Sequence, residues 1–139
     1  MTAEPPNLTP EQTALFHSGL ALFNAGDYFE AHEAWEELWH SLTGEPKRFM
    51  QGLIQCAVTL EHVRRGNPRG VVTVFASAQT RLKGFPPVYM GLPIGRLQED
   101  LAKFIEPIRQ MPREYFEPRK GRGLAMPVEL ENAPRIEMT

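Results

Sequence analysis

Histidine, glutamate and glutamine side chains recur at helical spacing in two successive segments of the chain. In the first segment, His32 and Glu36 lie one helical turn apart, at the edge of an apolar face. In the next segment, which is mostly apolar, Gln51, Gln55 and His62 fall within about 40° of one another around a helix. Because polar groups at core-facing positions are costly without partners, we expect the two rows to meet.

Such a meeting of side chains would allow specific chemistry. A carboxylate beside an imidazole orients the ring and raises its basicity, which suits general acid/base catalysis near neutral pH. Imidazoles and carboxylates on facing helices can also hold a divalent metal. We therefore predict a buried pocket between the second and third helices that binds a small ligand or a divalent metal, with hydrolysis as the reaction it would suit. The predicted catalytic groups are His32, Glu36 and His62. The predicted ligand-binding residues are Tyr28, Glu33, Trp39, Gln51 and Gln55.

The same polar groups have a second interpretation. They could form a buried hydrogen-bond network that specifies how the helices pack. The protein would then be an interaction or self-association module similar to helical repeats, since turns at Gly26 and Gly66 lie 40 residues apart and predict two tandem helical hairpins. This alternative requires an exposed apolar groove rather than a pocket.

Local signals place the first two helices on either side of a short turn. The first helix begins after Thr9, where Gln12 is placed to complete a capping box, and Gly26 ends it. Asp27 then caps the second helix, with Glu30 placed for another capping box. A connection this short makes the two helices antiparallel neighbours.

Three more helices follow. The third is expected over residues 46–65. The fourth is expected from Pro68 to near Gly84, with Asn67 as its N-cap. An apolar stripe over residues 94–108 predicts a fifth, amphipathic helix with a kink at Pro107. A short turn between the second and third helices packs them antiparallel, so that the two polar rows can face each other.

The fold prediction is therefore an all-α, single-domain bundle of five helices, formed by two hairpins and a closing helix over residues 1–111. The chain has 139 residues and 42% hydrophobic residues, enough for one domain with a core of its own. Residues 112–139 are rich in Pro, Arg and Glu, which predicts an irregular or partly disordered tail. Apolar side chains can still hold parts of this tail against the bundle, namely Leu124, Met126, Val128, Leu130 and Ile136.

Charge and hydropathy argue against several partners. A net charge of −2 offers no electrostatic reason to bind nucleic acid. No apolar run approaches the ~18 residues of a membrane span, and the N-terminus lacks the pattern of a secretory signal. The single cysteine, Cys56, fits a reducing cytosol and is expected to be a buried apolar residue. We predict a cytoplasmic protein without a nucleic-acid or membrane partner, and the sequence leaves a homo-oligomer open.

Several of these residues also form a recognisable signature. Residues 23–33 read FNAGDYFEAHE, and Trp35-Glu36, Trp39, QGLIQ at 51–55, His62 and Gly66-Asn67 follow. Together they resemble the signature of the domain of unknown function 309 family, over about residues 15–82. The resemblance implies an all-helical bundle in soluble, bacterial-type proteins, and it implies no activity. By position, the family pattern falls on His32, Glu33, Glu36, Trp39, Gln51, Gln55 and His62.

Overall fold

The structure, a computed structural model, describes residues 6–118 and 123–139 and confirms an all-α fold. Its five helices are α1 (Pro10–Asn24), α2 (Tyr28–His40), α3 (Gly44–Arg64), α4 (Pro68–Leu82) and α5 (Ile94–Arg109). Short 3-10 turns follow at Arg113–Phe116 and Leu130–Asn132. Over the described ranges there is no β-strand, apart from an isolated bridge between Tyr89 and Leu92.

Of the two predicted capping boxes, the one at the start of α1 is present and the one at the start of α2 is not. The capping box at Thr9 is confirmed: its hydroxyl accepts the Gln12 backbone N–H at 3.1 Å, and the Gln12 side chain accepts the Thr9 N–H at 2.9 Å. The second capping box is wrong, because the Asp27 side chain makes no capping hydrogen bond. Backbone geometry does not account for this difference, since Asp27 (ψ 67°) and Asn67 (ψ 85°) both lie outside the extended region and Asn67 still caps its helix.

The later boundaries are close to those expected. Helix α3 begins at Gly44, two residues before Pro46, and a proline is tolerated there because the first-turn N–H groups have no intrahelical partner. Asn67 caps α4 by accepting the Gly70 backbone N–H on Oδ1 at 3.1 Å. Pro107 lies inside α5, which continues to Arg109.

The core is built around the third helix. Helix α3 packs against α2 on one side and against α4 on the other, while α1 packs on α2 and α5 on α4. On the α1–α2 side, the fully buried Trp35 donates its indole N–H to the Phe16 carbonyl oxygen at 3.0 Å. Since α3 contacts two helices, its polar side chains can point towards either neighbour.

The C-terminal tail is irregular but docked. Ile136 is buried in the core, and Asn24 holds it with two hydrogen bonds, accepting its N–H at 2.7 Å and donating to its carbonyl oxygen at 2.8 Å. Near Gly66, the backbone N–H of Leu124 donates to the Gly66 carbonyl oxygen at 3.2 Å. These contacts confirm that apolar tail residues hold this segment to the bundle, whereas the prediction for residues 119–122 lies outside the described residues.

None of the helices in the described part of the chain combines the length and hydropathy that a membrane span requires.

Candidate functional site

A small pocket lies between the start of α2 and the end of α3. We call it the histidine pocket; its volume is about 140 Å³ and its lining is mainly apolar. It is lined by Tyr28, Phe29, His32, Val58, Glu61, His62 and Arg65. Because the two helices are antiparallel neighbours, the first turns of α2 meet the last turns of α3. Three of the predicted site residues, Tyr28, His32 and His62, therefore come together here.

His32 has a hydrogen-bond acceptor at each ring nitrogen. Nδ1 lies 2.9 Å from the Phe29 carbonyl oxygen, and Nε2 lies 3.2 Å from Glu36 Oε2. The Phe29 ring packs edge-on against the imidazole with the centroids 5.2 Å apart. A protonated ring would satisfy both acceptors, because both nitrogens then donate. The expected carboxylate–imidazole pair is thus present, and it fixes the ring orientation.

Glu36 supports this imidazole from outside the pocket. Its side chain is 49% exposed, compared with 24% for His32. Glu36 lines an open surface depression on α2 together with Glu33, Glu37, His40 and His32, so His32 borders both this depression and the histidine pocket. The structure therefore places Glu36 as a positioning group and leaves Glu33 away from the histidine pocket.

His62 is held by the cap of α4. Its Nδ1 lies 3.2 Å from Asn67 Nδ2. Because Asn67 Oδ1 already accepts the Gly70 N–H, the Asn67 amide nitrogen donates and His62 Nδ1 accepts, so a neutral ring carries its proton on Nε2. The backbone of α4 is also close, since a Cβ atom on Gly70 would lie 2.6 Å from His62 Nδ1.

Two glutamines of the predicted row lie outside the pocket. Gln55 points to α4, where its Nε2 donates to Ser77 Oγ at 2.9 Å. Its Oε1 is buried and accepts no hydrogen bond from the residues that the structure describes. Gln51, one turn earlier on α3, is half-buried and does not line the histidine pocket. The row divides because α3 is shared between α2 and α4, which the spacing alone does not reveal.

Trp39 lies at the opposite end of α2. The Lys47 ammonium sits 4.2 Å from the centroid of its ring, at the start of α3. The indole N–H is buried and has no hydrogen-bond partner within residues 6–118 and 123–139. Trp39, a predicted ligand-binding residue, therefore does not line the histidine pocket, whose apolar lining includes Phe29 and Val58.

Charged residues border the pocket at the end of α3. The Glu61 carboxylate accepts hydrogen bonds from Arg64 at 3.1 Å and from Arg65 at 2.9 Å. The Arg65 guanidinium also lies 5.6 Å from the centre of the Phe29 ring. Sequence reasoning missed Phe29, Asn67 and this charged rim. Asn67 was recognisable only as a helix cap, although the cap lies five residues after His62.

Two further observations concern reactive groups. Over the described ranges, no group of three or more His, Cys, Asp or Glu side chains is arranged to hold a metal ion. Burial raises the pKa of the Cys56 thiol to about 12, so this cysteine is a protonated core residue. The expectation that Cys56 is a buried apolar residue is confirmed.

The fold and the site together define a small all-α protein built from two helical hairpins and a closing helix, with two imidazoles at one pocket. Residues 16–74 match the family described as "Domain of unknown function (DUF309)", and this segment of the chain is a member of that family. The matched range contains all eight predicted site residues as well as Asn67.

Three bacterial proteins illustrate the relationship. YpuF, an uncharacterized protein of Bacillus subtilis (strain 168), is 33% identical over 117 residues, which is 80% of this chain and 63% of YpuF. An uncharacterized protein of Aquifex aeolicus (strain VF5) is 30% identical over 84 residues, 60% of this chain and 25% of that protein. The crystal structure of a conserved hypothetical protein from Thermus thermophilus is similar at 37% identity, with a TM-score of 0.57. That match covers 63% of this chain and 90% of the Thermus chain. The chain thus spans less than two thirds of YpuF and of the Aquifex protein.

Proposed function

We propose that the histidine pocket binds a small organic molecule. One observation carries this proposal: His32 and His62, from different helices, line a single, mainly apolar cavity. A volume of about 140 Å³ suits a group of the size of a benzene ring, since an apolar cavity of about 150 Å³ holds benzene. Apolar contacts with Tyr28, Phe29 and Val58 would supply affinity, and the imidazoles would orient a polar substituent.

The two histidines contribute differently to this proposal. Asn67 holds Nδ1 of His62 from outside the pocket, while the His62 ring itself lines the cavity. Both ring nitrogens of His32 face acceptors, so a general acid or base role requires the ligand to replace Glu36 at Nε2, while the Phe29 carbonyl oxygen keeps the ring oriented at Nδ1. If the protein is an enzyme, hydrolysis is the reaction that we propose, with Glu36 orienting the unliganded ring and His32 moving the proton once the ligand has taken that place. A divalent metal shared by His32 and His62 is the competing occupant.

Binding is tested with phenol, which has an aromatic ring and a single hydroxyl group. We expect phenol to shift the ring resonances of His32 and His62 in NMR titrations, and His32→Gln and His62→Gln to weaken this binding at least about tenfold. The matched control is His17→Gln, because His17 is exposed on α1 and does not line the pocket. Unchanged phenol binding in both pocket variants would refute the proposal.

A second variant keeps the test decisive if the histidine variants unfold. Val58→Phe retains all polar groups but places a larger side chain in the pocket, so we expect it to exclude phenol while the helical circular-dichroism spectrum persists. Elemental analysis and Zn²⁺ titration test for a metal occupant. Zn²⁺ binding at this pocket would be lost in both His32→Gln and His62→Gln. Faster hydrolysis of p-nitrophenyl acetate by the wild-type protein than by the His32→Gln variant would support the enzymatic step.

Phe29 favours a second candidate function, an interaction or self-association module. Its side chain is 40% exposed at the rim of the histidine pocket, where a partner would cover both the ring and the pocket. Sedimentation velocity at increasing concentration measures self-association. We expect Phe29→Ser to reduce association if this function holds, and Val88→Ser, at an exposed apolar residue elsewhere, to leave it unchanged. A monomer at all concentrations would exclude self-association.

We also propose a cytoplasmic location in a bacterium. The support is the single reduced cysteine and the bacterial origin of the three relatives. The net charge of −2 supports the absence of a nucleic-acid partner. Fractionation of the native host, followed by immunodetection, tests the location.

A further inference from the structure

We infer that a second pocket, between the α1–α2 turn and the C-terminal tail, binds a small oxyanion through Arg64, Arg135 and the Tyr28 hydroxyl. This pocket, which we call the arginine notch, has a volume of about 200 Å³. Asn24, Gly26 and Glu131 also contribute to its lining. Oxyanion here means a phosphate or carboxylate group, for which guanidinium groups are the preferred partners in proteins.

The two arginines are differently committed. Arg64 is fixed by two hydrogen bonds, donating to the Gly26 carbonyl oxygen at 2.6 Å and to Glu61 at 3.1 Å. Arg135 makes no hydrogen bond or ion pair within the part of the chain that the structure describes. Its guanidinium therefore brings unused donors to the notch, where Glu131 is the one acidic lining residue. The notch thus combines Arg64, whose guanidinium is already hydrogen-bonded, with Arg135, whose guanidinium donors are available to a ligand.

The Tyr28 hydroxyl supplies a third donor. Tyr28 is buried but lines the notch, and its hydroxyl makes no hydrogen bond with any described residue. Burial raises the pKa of this phenol, while the charges of Arg64 and Arg135 act to lower it. The Arg64 guanidinium lies 5.2 Å from the centre of the Tyr28 ring, and Arg135 lines the same notch. Because burial raises the pKa of Tyr28 from its ordinary value, the hydroxyl stays protonated at neutral pH and can donate to an anion.

The tail segment that carries Arg135 is held in place. The next residue, Ile136, is buried in the core and exchanges two hydrogen bonds with Asn24, which itself lines the notch. The backbone at Arg135 is thus anchored beside Gly26 and the start of α2. Such preorganisation lowers the entropic cost of binding. An anion here would also connect the tail to the bundle.

The notch is a different site from the histidine pocket, with which it shares one lining residue, Tyr28. Tyr28→Phe removes the hydroxyl that the notch requires but keeps the ring that walls the histidine pocket. His32 does not line the notch, so His32→Gln leaves the notch unchanged. Failure of one proposal therefore does not imply failure of the other, and the two variants distinguish them.

Titration of the full chain with sodium phosphate and with sodium acetate, against sodium chloride at equal ionic strength, tests the inference. NMR signals of the arginine Nε–H groups and calorimetry report binding. We expect saturable binding of phosphate or acetate that weakens about tenfold or more in Arg135→Gln, and several-fold in Tyr28→Phe. The matched control is Arg96→Gln. The Arg96 side chain is 81% exposed, lies 3.7 Å from Asp100 and does not line the notch, so anion binding should be unchanged in this variant.

Each outcome has a defined meaning. Tighter binding of phosphate identifies a phosphorylated ligand, and tighter binding of acetate identifies a carboxylate ligand. No saturable binding of either anion with a Kd below about 10 mM would overturn the inference. Equal losses in Arg135→Gln and Arg96→Gln would overturn it as well, because they would indicate attraction to general surface charge.

Discussion

Replacing Gly19 by alanine provides a sharp test of the packing between α1 and α2. Gly19 is buried in α1 beneath the indole of Trp35. A Cβ atom at this position would clash with Trp35 Nε1 and Cδ1, well inside the 3.0 Å that real Cβ atoms keep from their neighbours. The same indole N–H donates to the Phe16 carbonyl oxygen at 3.0 Å, so movement of the ring also endangers this hydrogen bond.

Two effects of opposite sign set the magnitude. Alanine favours the helix over glycine by about 1 kcal/mol. Overpacking a core costs about 1–3 kcal/mol, and a buried donor left without its acceptor costs about another 1–3 kcal/mol. We therefore expect Gly19→Ala to lower the free energy of unfolding by about 1–5 kcal/mol, because the steric and hydrogen-bond costs exceed the gain in helix propensity.

Urea unfolding followed by circular dichroism measures this change, provided that the m-value is the same as in the wild type. The matched control is Gly95→Ala in the first turn of α5, where a new Cβ would make an ordinary contact of 3.4 Å with Pro87 Cα. This variant should be neutral, or more stable by up to about 1 kcal/mol. If Gly19→Ala were at least as stable as the wild type, the proposed close packing of Trp35 on α1 would be refuted.

Three further predictions concern the tail, the cysteine and the histidine pocket. Asn24→Ala removes both hydrogen bonds to Ile136, so it should cost about 1–3 kcal/mol and increase proteolysis of the tail; unchanged protection of the tail would contradict this role. Cys56 should not react with Ellman's reagent at pH 8 until the protein unfolds, because burial raises its pKa to about 12; rapid labelling of the folded protein would show that the thiol is accessible. Gly70→Ala should displace the imidazole of His62, from which the new Cβ would lie 2.6 Å, and NMR should show a changed Nδ1 resonance and weaker phenol binding while the fold persists. An unaltered His62 spectrum in that variant would mean that α4 does not position the ring.

The candidate site was partly predictable because some of its contacts are local. His32 and Glu36 are four residues apart on one helix, so their pairing follows from helical geometry. The short connection between α2 and α3 also implies that the first turns of one meet the last turns of the other. The sequence predicted that the two polar rows face each other without fixing their register, and the structure brings His62 to Tyr28 and His32. The contact between Asn67 and His62 spans five residues and could have been recognised from the cap.

Other site residues required the tertiary structure. The direction of Gln55 depends on how α3 divides its surface between α2 and α4, and Ser77, its partner, lies 22 residues later in the chain. Helical spacing places Gln55 and His62 on the same side of α3, but it does not show whether α2 or α4 packs against Gln55. The absence of the Asp27 cap also required the structure, because residue type and position alone do not show whether a side chain forms its capping hydrogen bond.

For this protein, the sequence alone determined the number of helices, the α1 and α4 caps, the glycine turns and the His32–Glu36 pair. These features depend on hydrogen bonds and side-chain spacing within a few residues, which can be read along one chain segment. Only the tertiary structure decided that Gln55 faces α4, that Phe29 rather than Trp39 walls the histidine pocket, and that the tail brings Arg135 to Arg64 and Tyr28. These arrangements join segments as far apart as Asn24 and Ile136, 112 residues along the chain, and the joint packing of the whole core determines them.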